Sequence, residues 1–523
     1  MCDASSTRAG ARRYVPSYCR VVERQHRGGS GVPLSGWGHG SHGRTARWCR
    51  RGLASALALV VLAGAACQPL PPGRPPPARP VAPLGHEGRW FTDAAGRVVM
   101  LRGVNFVEKW APFTPEADGF DDDDAALLAD NGFNTVRLGV VFEFLMPEPG
   151  RIDSSYLDSI ARTVRTLGRH GLRVLLEFHQ DGWGPATHGN GMPAWATLTD
   201  GLPNPPAPFP LYYVQNPALQ RAFDNFWANR PGPDGVPLQE HYATAMRAVA
   251  VRFSSSRHVL GYEAMNEPWP GTDWASCVTG CPELEQQLLV PFHERMTAAV
   301  RAVDRRHPVF VEPFVLFNFG SADTSLPGAD SANVLSTHVY ALSADADAAA
   351  MDRSVAAAER DGVAFLVTEW GATDDPATIV RTAEQFDARL VPWLYWSYNG
   401  HVVKDSNEPL EPPNLDLSVL DALVRPYPAV VNGTPTGVAF DAARDTLDFT
   451  FTTRRPDGRR ATRGLETVVS VPQRSYPGGY AVDVVGADVT SRPCAPELTL
   501  RNQRGASTVS VRVSPAPCPG AGG

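Results

Sequence analysis

From Gly88 onward, short apolar runs alternate with stretches in which apolar residues recur every three to four positions. Apolar runs of this length predict strands covered on both faces, as in a parallel sheet. Eight such runs occur, at 98–105, 133–139, 172–179, 258–266, 308–314, 333–340, 363–369 and 390–397. Helical periodicity lies between them, at 154–169, 283–303, 346–360 and 374–388. Asp153-Ser154 ahead of Tyr156-Leu157 marks a helix start. Eight strand–helix alternations predict an α/β protein, a (β/α)8 TIM barrel. A doubly wound sheet is the alternative, but no glycine-rich phosphate loop follows the first strand.

Two insertions interrupt the pattern, a Pro- and aromatic-rich one at 182–240 and a shorter one at 268–282. Loops after barrel strands build the reactive face, so both are expected to shape a cleft. Around 426–436 the period changes to two. Leu447–Phe451, Thr467–Val471, Tyr480–Val484 and Val509–Val513 alternate apolar and polar residues, with turn signals between. That pattern predicts a C-terminal β-sandwich. The chain therefore divides into a leader (1–67), a proline-rich tether (68–87), the barrel (88–430) and the sandwich (431–523).

The leader differs in charge, with 10 Arg against 2 acidic residues. From residue 68 on, 38 basic residues face 53 acidic ones, a poor match for a nucleic-acid backbone. Arg50-Arg51 precede an apolar stretch, Leu53–Ala66. It is shorter than the roughly 20 residues of a membrane span and reads as an export signal. The small residues that end at Cys67 resemble a bacterial lipoprotein signal, in which Cys67 is lipidated. Ala63-Gly64-Ala65 equally suits plain cleavage and secretion. Residues 1–40 show no periodicity, and translation is expected to start near Val32. An extracellular or cell-surface location follows. Past Cys67 four cysteines remain, as the local pairs Cys277/Cys281 and Cys494/Cys518. In an exported chain they predict two disulfides. A metal reading of the first pair lacks an accompanying His. No metal or cofactor is expected.

The candidate chemistry sits at the ends of the apolar runs. Glu267 closes Gly261–Pro268 in an Asn-Glu-Pro motif, and Glu369 closes Val363–Gly371 in Glu-Trp-Gly. On parallel strands of one barrel both carboxylates emerge on the same rim, and a facing pair of carboxylates is what glycosidic bond cleavage needs. Asn266 stands beside Glu267 in the same motif, and Arg137, His338, Tyr340 and Trp396 end other runs. Each alone has an ordinary structural explanation; their joint placement at strand ends points to a site.

With these motifs in chain order, residues 90–425 resemble glycoside hydrolase family 5, retaining enzymes on a (β/α)8 barrel. The resemblance implies that Glu267 is the general acid/base and Glu369 the nucleophile. Arg137 and Tyr340 would keep Glu369 charged, and Asn266 would bond the sugar 2-hydroxyl. His338 would line the same rim, and Trp396 would offer a flat face to a pyranose.

Phe178-His179-Gln180-Asp181-Gly182, Lys109 after the first strand, Pro193-Ala194-Trp195-Ala196-Thr197 and the trailing sandwich are together similar to endoglycoceramidases. Lys109 stands out because Lys404 is the only other lysine in the chain. The similarity implies that Lys109, Asp181 and Trp195 contact the glucose beside the scissile bond, flanked by His179. Phe314–Gly320 and the insertion residues Phe223, Phe226 and Trp227 would supply an apolar bed for lipid. The expectation is a monomeric, exported retaining β-glycosidase acting on glycosphingolipids, with membrane-surface contact through its lipid anchor and apolar cleft. The alternatives are an enzyme for another β-glucoside (a polysaccharide or a sterol glucoside) and a non-catalytic carbohydrate- or lipid-binding lipoprotein.

Overall fold

The computed structural model describes residues 80, 82–111, 113–319, 323–325, 333–340 and 343–519. The leader, Cys67 and most of the tether lie outside the described residues. Three short strands come first: β1 (Gly85–Glu87), β2 (Trp90–Thr92) and β3 (Val98–Val99). The barrel follows as β4 (Arg102–Phe106), β5 (Thr135–Val141), β6 (Arg173–His179) and β7 (Val259–Glu263), then β8 (Val309–Val311), β9 (Asn333–Val339), β10 (Ala364–Trp370) and β11 (Trp393–Tyr395). These eight are parallel neighbours in chain order, and β11 pairs with β4 to close the ring. Helices such as Ser154–Arg169 and Pro376–Arg389 cover the outside. Asp153 caps the first of these by accepting from the N–H groups of Ser155 and Tyr156, which satisfies amides that a helix start leaves unpaired.

Two expectations need correction. The apolar run 98–105 is not one strand. β3 lies in another sheet, against β12 (Tyr427–Val431), and the barrel strand begins at Arg102. Both pieces are buried, so the run reads as continuous although the chain changes sheets at Met100-Leu101. Arg137 does not end its strand. β5 runs on to Val141, and Arg137 lies in its middle with its side chain inside the barrel.

The β1–β2 segment plugs the N-terminal end of the barrel. Leu84, Phe91, Val99 and Leu101 pack with Leu175, Leu260, Phe310, Val334, Leu366 and Leu394. The Phe91 and Phe310 rings lie 6.1 Å apart. The insertion after β6 forms helices Tyr212–Gln215 and Pro217–Trp227. Phe223, Phe226 and Trp227 are buried there against Trp183, Tyr242 and Phe292. They fix the insertion to the barrel and offer no lipid bed, a correction to their expected role.

The C-terminal region continues with β13 (Thr434–Asp441), β14 (Thr446–Thr452), β15 (Thr467–Ser470), β16 (Tyr480–Val485), β17 (Ala487–Val489), β18 (Glu497–Asn502) and β19 (Thr508–Pro515). One sheet runs β13-β14-β19-β16; the other runs β1-β2-β3-β12-β15-β18-β17. Leu447, Phe449 and Phe451 share a core with Val509, Val511, Val513, Val469 and Leu500. The sandwich is therefore as expected, but one of its sheets recruits β1–β3. The boundaries drawn at 88 and 430 cut through that sheet. Cys277 is bonded to Cys281, and Cys494 to Cys518.

Candidate active site

The candidate residues gather at the C-terminal mouth of the barrel. Glu369 lies on β10 just past a bulge, where the register with β9 shifts between Val367 and Glu369. A bulge re-aims the side chain that follows it, and here it sets Glu369 beside His338. Glu267 arrives from the loop after β7 with a left-handed backbone, φ 44°. Gln180 steadies that loop by donating from Nε2 to the carbonyls of Asn266 and Glu267, at 2.9 and 3.0 Å. His338 Nδ1 stands 2.8 Å from Glu267 Oε1 and 3.6 Å from Glu369 Oε2. One oxygen of each glutamate and a nitrogen of His338 all lie within 4.8 Å of one another.

Glu369 is held by two donors. Arg137 Nη1 donates to Oε1 at 2.5 Å, and Tyr340 Oη to Oε2 at 3.0 Å. Burial pushes its carboxyl up from the usual range; His338 and Arg137 pull it back, and Glu267 adds to the rise. For His338, burial alone would lower the imidazole, but Glu312, Glu369 and Glu267 raise it well above its usual value.

Beneath this pair lies a buried charge cluster that the motifs did not reveal. Arg137 Nε donates to Glu263 at 2.5 Å, and its Nη2 is 3.6 Å from Glu177 and 3.5 Å from Glu312. Glu177 and Glu263 are register partners on β6 and β7. Asn105 and Asn266 also accept from Arg137, at 3.1 and 2.9 Å. The available signal was a glutamate inside an otherwise apolar run, at 177, 263 and 312. Such a residue must be paired to be buried. Replacing Arg137 with Met strands these carboxylates, and we expect a loss of about 3–5 kcal/mol. Denaturant unfolding of the variant measures it; an unchanged midpoint would contradict the cluster's role.

A second group forms the adjoining wall. Lys109 Nζ bonds Asp181 Oδ2 and sits 4.5 Å from the centre of the Trp396 ring. His179 stacks on Trp396 at 5.7 Å and bridges Glu177 (2.8 Å) and Asp181 (3.1 Å). Burial alone would push His179 down, but Glu177 and Asp181 raise it to about 9. Burial would raise Asp181, yet Lys109 and His179 hold it far below the usual carboxylate range. Trp195 is not part of this wall. Its indole donates to the Met146 carbonyl at 3.0 Å and packs edge-on against Phe142 and His241. It is an anchor for the insertion, a correction to its expected sugar contact. Of the apolar run after β8, Phe314 and Phe317 are buried, while Phe319 is 53% exposed.

Among the described residues, two sets of side chains, Glu263–Glu312–His338 and Glu267–His338–Glu369, have the spacing of metal ligands. Both share His338, which is buried.

Comparison with known proteins agrees with the geometry. The cellulase family, glycosyl hydrolase family 5, matches residues 92–402, and the family 5 C-terminal domain matches 425–513. The chain belongs to glycoside hydrolase family 5. It is a glycoside hydrolase of the two-part kind, barrel plus C-terminal domain. Endoglycoceramidase I of Rhodococcus hoagii is 35% identical over 465 residues, covering 84% of this chain and 89% of that protein. Endo-glycoceramidase II from Rhodococcus sp., solved as a lactosyl-enzyme intermediate, aligns with TM-score 0.66 and 31% identity over 81% of this chain and 99% of that one. Its ganglioside GM3 complex aligns with TM-score 0.66 and 29% identity, over 83% and 100%. Within this family 5 frame, the mouth of the barrel holds every catalytic and sugar-binding candidate named from the sequence except Trp195.

Proposed function

We propose that this protein is an exported, retaining β-glycosidase that releases intact glycans from glycosphingolipids. The observation that carries the mechanism is the close approach of Glu267 and Glu369, within 4.8 Å at their nearest oxygens. Retaining pairs stand about 5 Å apart, and inverting pairs are separated by roughly 6.5–9.5 Å to admit a water. Glu369, with two donors on its oxygens, is the anion and attacks the anomeric carbon. Glu267, the general acid, delivers a proton to the departing oxygen. Glu267 then takes a proton from water, which releases the glycan. Asn266 has a second amide N–H beyond the one given to Gln180, and it reaches the sugar 2-hydroxyl.

Support for a glycolipid comes from the names of the relatives and from the wall of the site. Lys109 and Asp181 form a charged pair at the base of the cleft and bond the hydroxyls of the sugar next to the scissile linkage. Replacing Lys109 with Met should lower kcat/KM about 10- to 100-fold, the worth of one hydrogen bond to a charged group. A fall confined to thermal stability would remove Lys109 from the substrate contacts. Trp110, Phe209, Leu211 and Phe319 are exposed on loops that follow β4, β6 and β8. These loops leave the same barrel face and would meet the lipid.

The deciding assay offers a fluorescent ganglioside and carboxymethyl-cellulose side by side. Release of whole oligosaccharide and ceramide is expected; turnover of the polymer alone would overturn the substrate assignment. Export rests on the Arg50-Arg51 and Leu53–Ala66 signal and suits a chain with two disulfides. Mass analysis of the mature N-terminus tests it, with a lipidated Cys67, or a chain cut after Ala65 that keeps Cys67 unmodified, as the two exported outcomes.

A further inference from the structure

One buried carboxyl beside the site has no part in the chemistry above. Glu312 follows β8 and is fully buried. Its Oε2 accepts from the backbone N–H of Glu267 at 3.2 Å. Its Oε1 faces His338 Nε2 at 3.5 Å, and the other nitrogen of that ring meets Glu267 Oε1 at 2.8 Å. A single carboxyl therefore grips Glu267 at both ends, the backbone directly and the side chain through one imidazole. The backbone end matters because Glu267 is left-handed, a conformation that a residue with a Cβ keeps only where its surroundings enforce it.

We propose that Glu312 is a positioning residue that holds Glu267 aimed at the departing oxygen. The proposal rests on the reading of Glu267 as acid/base. The charged groups that face Glu312 are Arg137, His338 and Glu263. A role as mere counter-charge to Arg137 fits the distances less well. Arg137 already has Glu263 and Glu369 at 2.5 Å, whereas Glu312 stands off at 3.5 Å. The short contact of Glu312 is with the Glu267 backbone.

The test compares three variants on two substrates. Glu312→Gln keeps an acceptor for the Glu267 N–H but turns its NH2 toward His338 Nε2, so it loses one of the two contacts and kcat on ganglioside should fall by clearly less than in Glu312→Leu. Glu312→Leu removes both contacts at similar volume. Misaiming an acid by about an ångström costs roughly 100-fold, and that loss is expected in kcat on ganglioside with KM little changed. Dinitrophenyl β-lactoside, whose leaving group needs little protonation, should lose about tenfold or less. Added azide should restore part of the turnover by replacing base-assisted water. If Glu312→Leu does not fold, Glu312→Asp, with its carboxyl drawn back by one methylene, should show the same split.

Equal losses on both substrates without an azide response would overturn the proposal. So would a Gln variant as impaired as Leu, or an Asp variant that behaves like the parent. Glu267→Ala run in parallel separates the two readings. No azide response there removes the acid/base assignment and this proposal with it. A response there and none in Glu312→Leu removes the positioning role alone.

Discussion

Exchanging Glu369 for Gln is expected to lower kcat on ganglioside by roughly 10^5-fold, the scale seen when a covalent nucleophile is removed. The amide keeps the shape of the carboxylate; its oxygen can accept from Arg137 while its NH2 donates to the Tyr340 hydroxyl oxygen, so the site should stay formed and bind substrate. The glycosyl–enzyme bond cannot form, because the amide oxygen is a far weaker nucleophile than a carboxylate. Two measurements check this. Hydrolysis of fluorescent ganglioside should vanish while binding of the same molecule to the variant persists. Retained turnover would place the nucleophile elsewhere and dismantle the mechanism. Retained binding with full turnover would favour the non-catalytic alternative for these residues.

Removing Glu267 should act differently on the two halves of the reaction. General acid–base help is worth about 10^2- to 10^4-fold. Glu267→Ala should show that loss with ganglioside, whose departing alkoxide needs a proton. With dinitrophenyl β-lactoside the first step needs none, so the covalent intermediate should form and accumulate. Azide, which attacks without base assistance, should then speed turnover and yield a β-linked glycosyl azide. An α-linked product would signal inversion and contradict the retaining assignment. A uniform loss on both substrates would deny Glu267 its role.

The sequence pattern was most legible where a strand is a clean apolar run. β6, β9 and β10 lie within a residue or so of the expected limits, because parallel strands covered on both faces have no polar side to blur them. It misled where burial and sheet membership part company. Val98 to Phe106 is buried throughout, yet its two halves serve two sheets. Aromatic residues were misread for a related reason. Trp195, Phe223 and Phe226 carry the composition of a binding surface, but only packing decides which rings are left open, and here the insertion uses them as its own core. The carboxylates that do the chemistry announced themselves through strand-end motifs. Those that arrange it, Glu177, Glu263 and Glu312, are each a single letter inside a strand or at its edge, and their meaning appears only when Arg137 and His338 are seen between them.

The pairing of β3 with β12 also sets a timetable for biogenesis. Val99 finds its partner Val430 only after about 330 further residues have been made, which at 5–20 residues per second is of the order of 15–70 seconds of synthesis. Until then the edge of β3 that meets β12 is an open template for a stray chain. A holding chaperone, or passage across a membrane before folding, would guard that edge. For the same reason, amputating the C-terminal sheet to obtain a minimal catalyst would take away the partner that anchors the plug under the barrel.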